Sequence, residues 1–476
     1  MKKLNAEIFT DIGIVHRYEA PRKYEIGETG VTIDLQYQAW PSVVSDENGV
    51  LYAFASGRRF HVDPFGHTLM YKSYDNGVTW SEPIIVNDTP IDDRDVGAIY
   101  LGNGKILISY FSISARDQMA LDQKITTADG FEIVGTAPTT RTKDGEYAGD
   151  FVNWQSAQFT APEQVEAVFR YWSTMNKKDL EGGFWTLISE DYGQTWSAPR
   201  RAPVSTPHGP ILCRDGSLLY IGRGWLDQYD GDAIYAFTSD DLGQTWQYRS
   251  TLHKNGNADL TYCEPHVAQL DDGRLVVGIR VQVSYINWEG NRYAGTGFSH
   301  EGLPVYGSQG KVFTRNEDGS FSVYGGPAQW AKNRTFFRIA TCISDDGGYT
   351  WTNPEFVKVN DPTGLLEVTG GYVYGSPPHM LLLKNGALLM TYASRSLDIG
   401  QRAAISYDRG ESWENEFLLC NKPYDPSPEG GRHYLCADIG YPATVETADG
   451  GLLSVYYQAY TEDRFTSILY TKWSLK

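Results

Sequence analysis

Cysteine is scarce, with five in 476 residues: Cys213, Cys263, Cys342, Cys420 and Cys436. An odd count without metal-ligand spacing argues against a disulfide-built scaffold and leaves reduced thiols as the simplest state. Positive charge is also short. Lys and Arg total 41 against 59 Asp and Glu, a formal charge of −18. No local Lys/Arg cluster offsets this, so neither nucleic acid nor an anionic membrane is an expected partner. No apolar run approaches transmembrane length, and the opening MKKLNAEIFTDIGIVH has two lysines but no apolar stretch before further charges. The expectation is a soluble, cytoplasmic protein. Few stretches space apolar residues at helical intervals, whereas Gly (49) and Tyr (32) are abundant. Helices should be scarce and the fold turn-rich and all-β.

What the chain does have is one eight-residue phrase written five times, Ser-x-Asp-x-Gly-x-(Thr/Ser)-Trp. The copies are SYDNGVTW from Ser73, SEDYGQTW from Ser189, SDDLGQTW from Ser239, SDDGGYTW from Ser344 and SYDRGESW from Ser406. In each, a carboxylate can accept backbone N–H groups, a Gly permits positive φ and a Trp can plug beneath the turn. Such recurrence is the mark of a β-propeller, because each blade is a small sheet that needs neighbours to bury its faces.

A second phrase precedes these turns: Pro, an apolar strand, an Asp-Gly or Asn-Gly turn, then another apolar strand. It occurs at Trp40 (WPSVVSDENGVLYAF), Pro207 (PHGPILCRDGSLLYIG), Glu264 (EPHVAQLDDGRLVVGIR), Pro377 (PPHMLLLKNGALLMTY) and Tyr441 (YPATVETADGGLLSVYY). These read as the two inner strands of a blade joined by a tight hairpin. DVGAIYLGNGKILISYF from Asp95 has lost the Pro, and WQSAQFTAPEQVEAVFRYW from Trp154 has lost the Gly as well. Counting both predicts seven four-stranded antiparallel blades, with six as the alternative. TADGFEIVG near Asp129 looks like a decayed Asp turn. Residues before Gln38 should supply the outer strand that closes the ring, which removes sheet edges. Residues 1–476 thus read as one propeller domain, interrupted at about 283–336 by a Gly-, Asn- and Tyr-rich insertion or a further degenerate blade.

Aligned on the turn Gly, Pro41, Pro265, Pro378 and Pro442 each stand eight residues before it, and Pro207 fits with one extra residue. Innermost strands begin at one mouth of the central channel, so residues around this Pro should meet there from different blades. His follows the Pro in three units, His208, His266 and His379. These imidazoles can bond neighbouring backbone, contact substrate, act as a base or hold a divalent metal, and spacing does not choose among the four. Just before the Pro stand Trp40, Glu264, Pro377 and Tyr441. Glu264 and Tyr441 at one height would let a carboxylate take a phenolic proton. They would serve equally as plain channel wall, and Trp40 and Trp154 are further candidates to line a sugar site.

With these phrases the chain resembles the sialidase (neuraminidase) superfamily over nearly its whole length. Asp turns of this kind identify that fold strongly and an activity poorly. At residue level, GYPAT puts Tyr441 where the family carries its nucleophile, and Glu264 followed by Arg280 matches the helper Glu and a clamp arginine. Arg402 in GQRAAISYDRG matches a second clamp arginine, and Asp63, shortly before the first Asp turn, matches the acid/base Asp. One departure stands out: Ala39 in QAWP replaces the family's first clamp arginine. Arg58 or Arg59 would have to reach in from the next strand.

The resemblance implies a retaining, exo-acting glycoside hydrolase in which Tyr441 attacks the anomeric carbon, Glu264 takes its proton and Asp63 protonates the leaving oxygen. Arg280 and Arg402 would clamp a substrate carboxylate. The departures favour a terminal acidic or modified sugar over a standard sialoside. No cofactor is required, although the channel histidines leave a metal open. Two other readings stand beside this one: a propeller lyase in which a channel His or Tyr441 abstracts the proton α to a uronate carboxyl group, and a non-catalytic carbohydrate-binding propeller.

Overall fold

Four-stranded antiparallel sheets follow one another along the chain, the fifth extended by the short parallel strand Val359–Asn360, and each packs on the next until the sixth meets the first. The computed structural model describes residues 6–59, 61, 63–136, 160–224, 232–256, 260–284, 297–298, 304–305, 312–315, 321–324, 335–360, 373, 375–394, 400–420, 439–459 and 466–476. Innermost strands are Tyr37–Ser45, Asp92–Gly102, Ile211–Leu212, Leu260–Gln269, Ser376–Leu382 and Gly440–Glu446. The outer strand of the sixth blade is Ala6–His16, paired antiparallel with Thr466–Leu475, so the two ends of the chain share one sheet.

Middle strands such as Leu51–Arg58 and Leu388–Ser394 are buried at every position, because each lies between two neighbouring blades. That double burial is why they read as unbroken apolar runs rather than alternating ones. The core therefore lies between blades: Trp40, Leu69, Tyr71, Val455 and Tyr457 fill the junction of the sixth and first, and Val267, Val277, Ile221 and Ile234 that of the third and fourth.

The five Asp turns sit between the third and outer strands of the first five blades. In the first, Asp75 accepts hydrogen bonds from the backbone of Val78 and Thr79 and from the hydroxyls of Ser73 and Thr79. Gly77, at φ +84°, turns its N–H onto Ser73 Oγ at 2.9 Å, and the Trp80 indole donates to the Gly77 carbonyl. Thr or Ser bonds recur at Asp191, Asp241, Asp346 and Asp408.

The described residues form six blades, not the favoured seven. The supposed unit at Trp154 is not a strand pair. Trp154 itself lies outside the described residues, and Pro162–Ser173 is an α-helix with Pro in its first turn and Val165, Ala167, Val168 and Trp172 buried. Its apolar residues at 165, 168 and 172 have helical spacing within a run that also looks strand-like. The turn at Asp129 is likewise no blade turn; it closes the hairpin Lys124–Thr126 with Glu132–Val134. Both belong to an insertion between the second and third strands of the second blade. The helix packs against the hairpin Arg22–Leu35, and the Trp172 indole donates to the Pro90 carbonyl at 2.7 Å. Pro90 just precedes an innermost strand, so this layer covers the end of the propeller where those strands begin.

In the 283–336 segment, the described strands form two separate pairs, Gly297–Phe298 with Pro304–Val305 and Val312–Arg315 with Phe321–Tyr324. The four described cysteines are buried free thiols. Among the described residues, no helix is long and apolar enough to cross a membrane.

Candidate active site

Each well-formed innermost strand slips register by one residue near its start: between Ala39 and Ser42, Arg94 and Gly97, Cys263 and His266, Ser376 and His379, and Gly440 and Ala443. These are β-bulges, which bend a strand and re-aim a side chain. At four of them a non-glycine residue takes the left-handed conformation: Trp40 (φ 53°), Asp95 (φ 53°), Glu264 (φ 50°) and Tyr441 (φ 53°). That backbone costs about 1–3 kcal/mol per residue and persists only where the surroundings enforce it. In the fifth blade the equivalent residue is Pro377, whose ring forbids positive φ.

Three of the four left-handed residues meet. Tyr441 Oη donates to Glu264 Oε1 at 2.9 Å, across the gap between the sixth and fourth blades. Arg280, opposite Cys263 on the neighbouring strand, pairs with Glu264 Oε2 at 2.5 Å and donates to Tyr441 Oη at 3.3 Å. Burial disfavours the Arg280 charge, but Cys263, Glu264, Tyr441 and Asp95 more than offset it and leave the guanidinium more basic than usual. Trp40 contacts Tyr441 edge to face, with ring centroids 6.5 Å apart, and the guanidinium groups of Arg58 and Arg94 each lie 4.6 Å from its ring. The phenol is therefore held by a carboxylate able to take its proton and a cation able to steady its anion.

Asp95 is the fourth left-handed residue and was not singled out in the sequence as a site residue. Its carboxyl is 8% exposed, and Oδ1 has no hydrogen-bond partner among the described residues. Burial pushes it up to about 7, with Glu264 adding to the rise and Arg94, Arg58 and Arg280 opposing it. A sequence signal existed: Val96 stands eight residues before Gly104, the same offset as the Pro in the other units.

Asp63 is placed differently. It is fully buried and makes a two-point ion pair with Arg59, Nε to Oδ2 at 2.8 Å and the other nitrogen to Oδ1 at 3.2 Å. The backbone N–H groups of Arg59 and Phe65 also donate to it. Arg58 is fully buried, paired with Asp92 at 2.7 Å and donating to the Asp93 carbonyl. Arg402 is buried in Gly400–Ser406 of the fifth blade, opposite Tyr392 and Leu418.

His208, His266 and His379 do come together, one step deeper than the bulges. Ring centroids are 4.6–5.3 Å apart, with His266 and His379 stacked. His266 Nδ1 accepts from the Met380 N–H, and His379 Nδ1 from that of Thr444. Gly97 lets the His208 backbone approach, since a Cβ there would lie 2.6 Å from the His208 carbonyl carbon. Burial holds all three below the usual imidazole range, His379 down to about 4, so the layer is neutral at pH 7. Among the described residues, no group of three or more His, Cys, Asp or Glu side chains has the geometry to hold a metal ion.

Residues 152–298 match the BNR repeat-like domain family. A search of curated proteins finds no match. Among solved structures, a protein of unknown function from Dyadobacter fermentans superposes with a TM-score of 0.59 at 17% identity, over 99% of both chains. The NanB sialidase from Streptococcus pneumoniae gives 0.52 at 11% identity, over 98% of this chain and 70% of that one. The Penicillium chrysogenum α-L-arabinanase, complexed with arabinobiose, gives 0.49 at 12% identity over 98% of both. Identities this low carry the fold and nothing finer. The described residues form a six-bladed β-propeller, a fold shared with the NanB sialidase, and part of the chain matches the BNR repeat-like family.

Proposed function

We propose that the chain is a retaining, exo-acting glycoside hydrolase that removes a terminal sugar from a glycan or oligosaccharide. The observation that carries this reading is the Tyr441–Glu264–Arg280 cluster, drawn from two blades and aimed by two left-handed bulges. Tyr441 Oη attacks the anomeric carbon while its proton passes to Glu264, forming a glycosyl-tyrosine that water then hydrolyses. Arg280 stabilises the phenolate character that develops on Oη in the second step, when Tyr441 leaves.

The sugar in this reading is acidic or otherwise modified. With Ala39 in place of an arginine and Arg58 committed to Asp92, a three-arginine clamp on a substrate carboxylate is incomplete. Trp40, almost fully buried, packs against the nucleophile's ring and two guanidinium groups and so supports the site from behind. The three histidines face one another beneath the site, an arrangement suited to a floor more than to a base acting on substrate.

A panel of terminal glycosides and uronate oligosaccharides, read by mass, tests the reading. Release of one terminal sugar with retained anomeric configuration supports it. An unsaturated uronate absorbing in the near ultraviolet would replace it with lyase chemistry, and an unchanged panel with a binding role.

A further inference from the structure

We infer that Asp95 is the residue that protonates the leaving oxygen and later activates water; the assignment rests on the hydrolase reading above. Four observations carry it. Asp95 occupies, in the second blade, the same bulged left-handed position that Glu264 and Tyr441 occupy in the fourth and sixth. A strained torsion repeated at this one height, in residues already converging on a phenol, points to a shared task rather than to four independent accidents of packing.

Second, the described acids flanking Asp95 are engaged by other groups. Asp63 is pinned by Arg59 and two backbone N–H groups, and Asp92 is paired with Arg58. Asp93 accepts from Asn87, Ser112, and both the backbone and hydroxyl of Thr89. Asp95 is more than nine-tenths buried, yet keeps an oxygen with no hydrogen-bond partner among the described residues. A buried polar atom left open is costly unless something else meets it, and a glycosidic oxygen or a water would.

Third, the charges around it divide the work. Arg94 on its own strand, Arg58 from the first blade, and Glu264 and Arg280 from the fourth act on Asp95, with burial the largest influence. Glu264 is tied directly to Arg280 and accepts the phenolic hydrogen bond. Asp95, raised to about 7 mainly by burial, still carries its proton in a large share of molecules at neutral pH. Two carboxyl groups in different electrostatic settings at one site are the pattern that divides acid from base roles.

Fourth, the proton count closes. Asp95 gives its proton to the glycosidic oxygen as the bond to the anomeric carbon breaks, while Tyr441 Oη bonds that carbon and passes its proton to Glu264. In the second step the Asp95 carboxylate takes a proton from water as the water oxygen bonds the anomeric carbon. Tyr441 then leaves and recovers its proton from Glu264.

The test compares wild type, Asp95→Asn and Asp63→Asn on glycosides of the accepted sugar bearing either a 2,4-dinitrophenyl or an alkyl leaving group. Asn tolerates left-handed backbone well, so the Asp95 variant keeps the bulge. A general acid matters only where the leaving group needs a proton. Asp95→Asn is therefore expected to slow alkyl glycosides about 10²–10⁴-fold and to leave the first step on dinitrophenyl glycosides near wild type. It should also remove the fall in kcat/KM as pH rises through about 7. Asp63→Asn should act alike on both leaving groups.

Independently of turnover, the carboxyl carbon of Asp95, assigned by its absence in Asp95→Asn, should titrate near pH 7 in a ¹³C spectrum of the whole protein. A midpoint near the ordinary carboxylate value of about 4 overturns the assignment, as does a leaving-group dependence that appears in Asp63→Asn and not in Asp95→Asn. Should wild type cleave none of the glycosides, the hydrolase reading falls and the acid role with it. Should wild type cleave them while Asp95→Asn slows both leaving groups equally, only the assignment of Asp95 falls.

Discussion

At Trp40, Asp95, Glu264 and Tyr441 the same left-handed torsion sets each side chain at the bulge of its blade, and three of them meet. Replacing Tyr441 by Phe keeps the ring against Trp40 and removes only the hydroxyl. The expected outcome is a loss of at least about 10³-fold in kcat, with a stability change of about 1 kcal/mol, the net worth of one hydrogen bond. Steady-state kinetics and denaturant unfolding on the same sample check both halves. Glu264→Gln keeps an acceptor for the phenol but removes the charge beside Arg280, and kcat should fall about 10²–10⁴-fold. If it stayed at wild-type level, Glu264 would be wall and not base. Tyr441 and Glu264 were legible in the sequence because Pro442 and Pro265 sit at a constant distance from their turn glycines. Asp95 was hidden by the loss of that Pro to Val96. The positive φ was legible nowhere, since Trp, Tyr, Glu and Asp normally avoid it, and tertiary packing enforces it here.

Among the elements, the Asp turns and the histidine layer respond to acid in different windows. Hydrogen bonds from Thr79, Ser73 and Val78 outweigh burial and hold Asp75 down to about 2; Asp191 is held at about 2 chiefly by Thr195. A depressed native carboxyl stabilises the fold above its ordinary value of 3.8 and loses that contribution as pH falls toward about 2. Thermal midpoints of Asp191→Asn should thus lie below wild type at pH 7 and converge on it by pH 2. Parallel curves would show that the charge contributes nothing there.

The imidazole layer acts higher on the scale. His379 binds a proton less readily when folded than unfolded, so stability falls as pH drops from 6.5 toward about 4. Asp92, Asp93 and Asp95 oppose this, being raised to between about 6 and about 7, so their contribution is full below the ordinary value of 3.8 and is lost as pH rises from there through the raised values. The layer's effect therefore appears as a difference: His379→Gln should flatten the decline between pH 6.5 and 4, measured by calorimetry against wild type. The three-histidine register was readable from sequence, whereas ring-to-ring packing depends on how closely Gly97 lets the third blade approach. The helix Pro162–Ser173 reads as a strand in the sequence because its apolar residues fit a strand's spacing and a helix's together, and its docking on Arg22–Leu35 decides between them.

For the molecule as a whole, ring closure sets the site, because Tyr441 in the sixth blade is packed against Trp40 in the first while bonding Glu264 in the fourth. Closure by Ala6–His16 agrees with the expectation that residues before Gln38 supply the outer strand, while the number of blades was not legible, since one insertion imitated a blade phrase. Removing residues 6–16 would leave Thr466–Leu475 an open edge. Sedimentation of that truncation should show self-association, and activity should drop with it.

The proposed hydrolysis requires Tyr441 to become covalently glycosylated during turnover. Intact and peptide mass spectrometry after brief reaction with a 2-deoxy-2-fluoro dinitrophenyl glycoside of the accepted sugar should find one added glycosyl unit, located on Tyr441 and absent from Tyr441→Phe. An adduct on another residue, or undiminished turnover by Tyr441→Phe, would contradict the account.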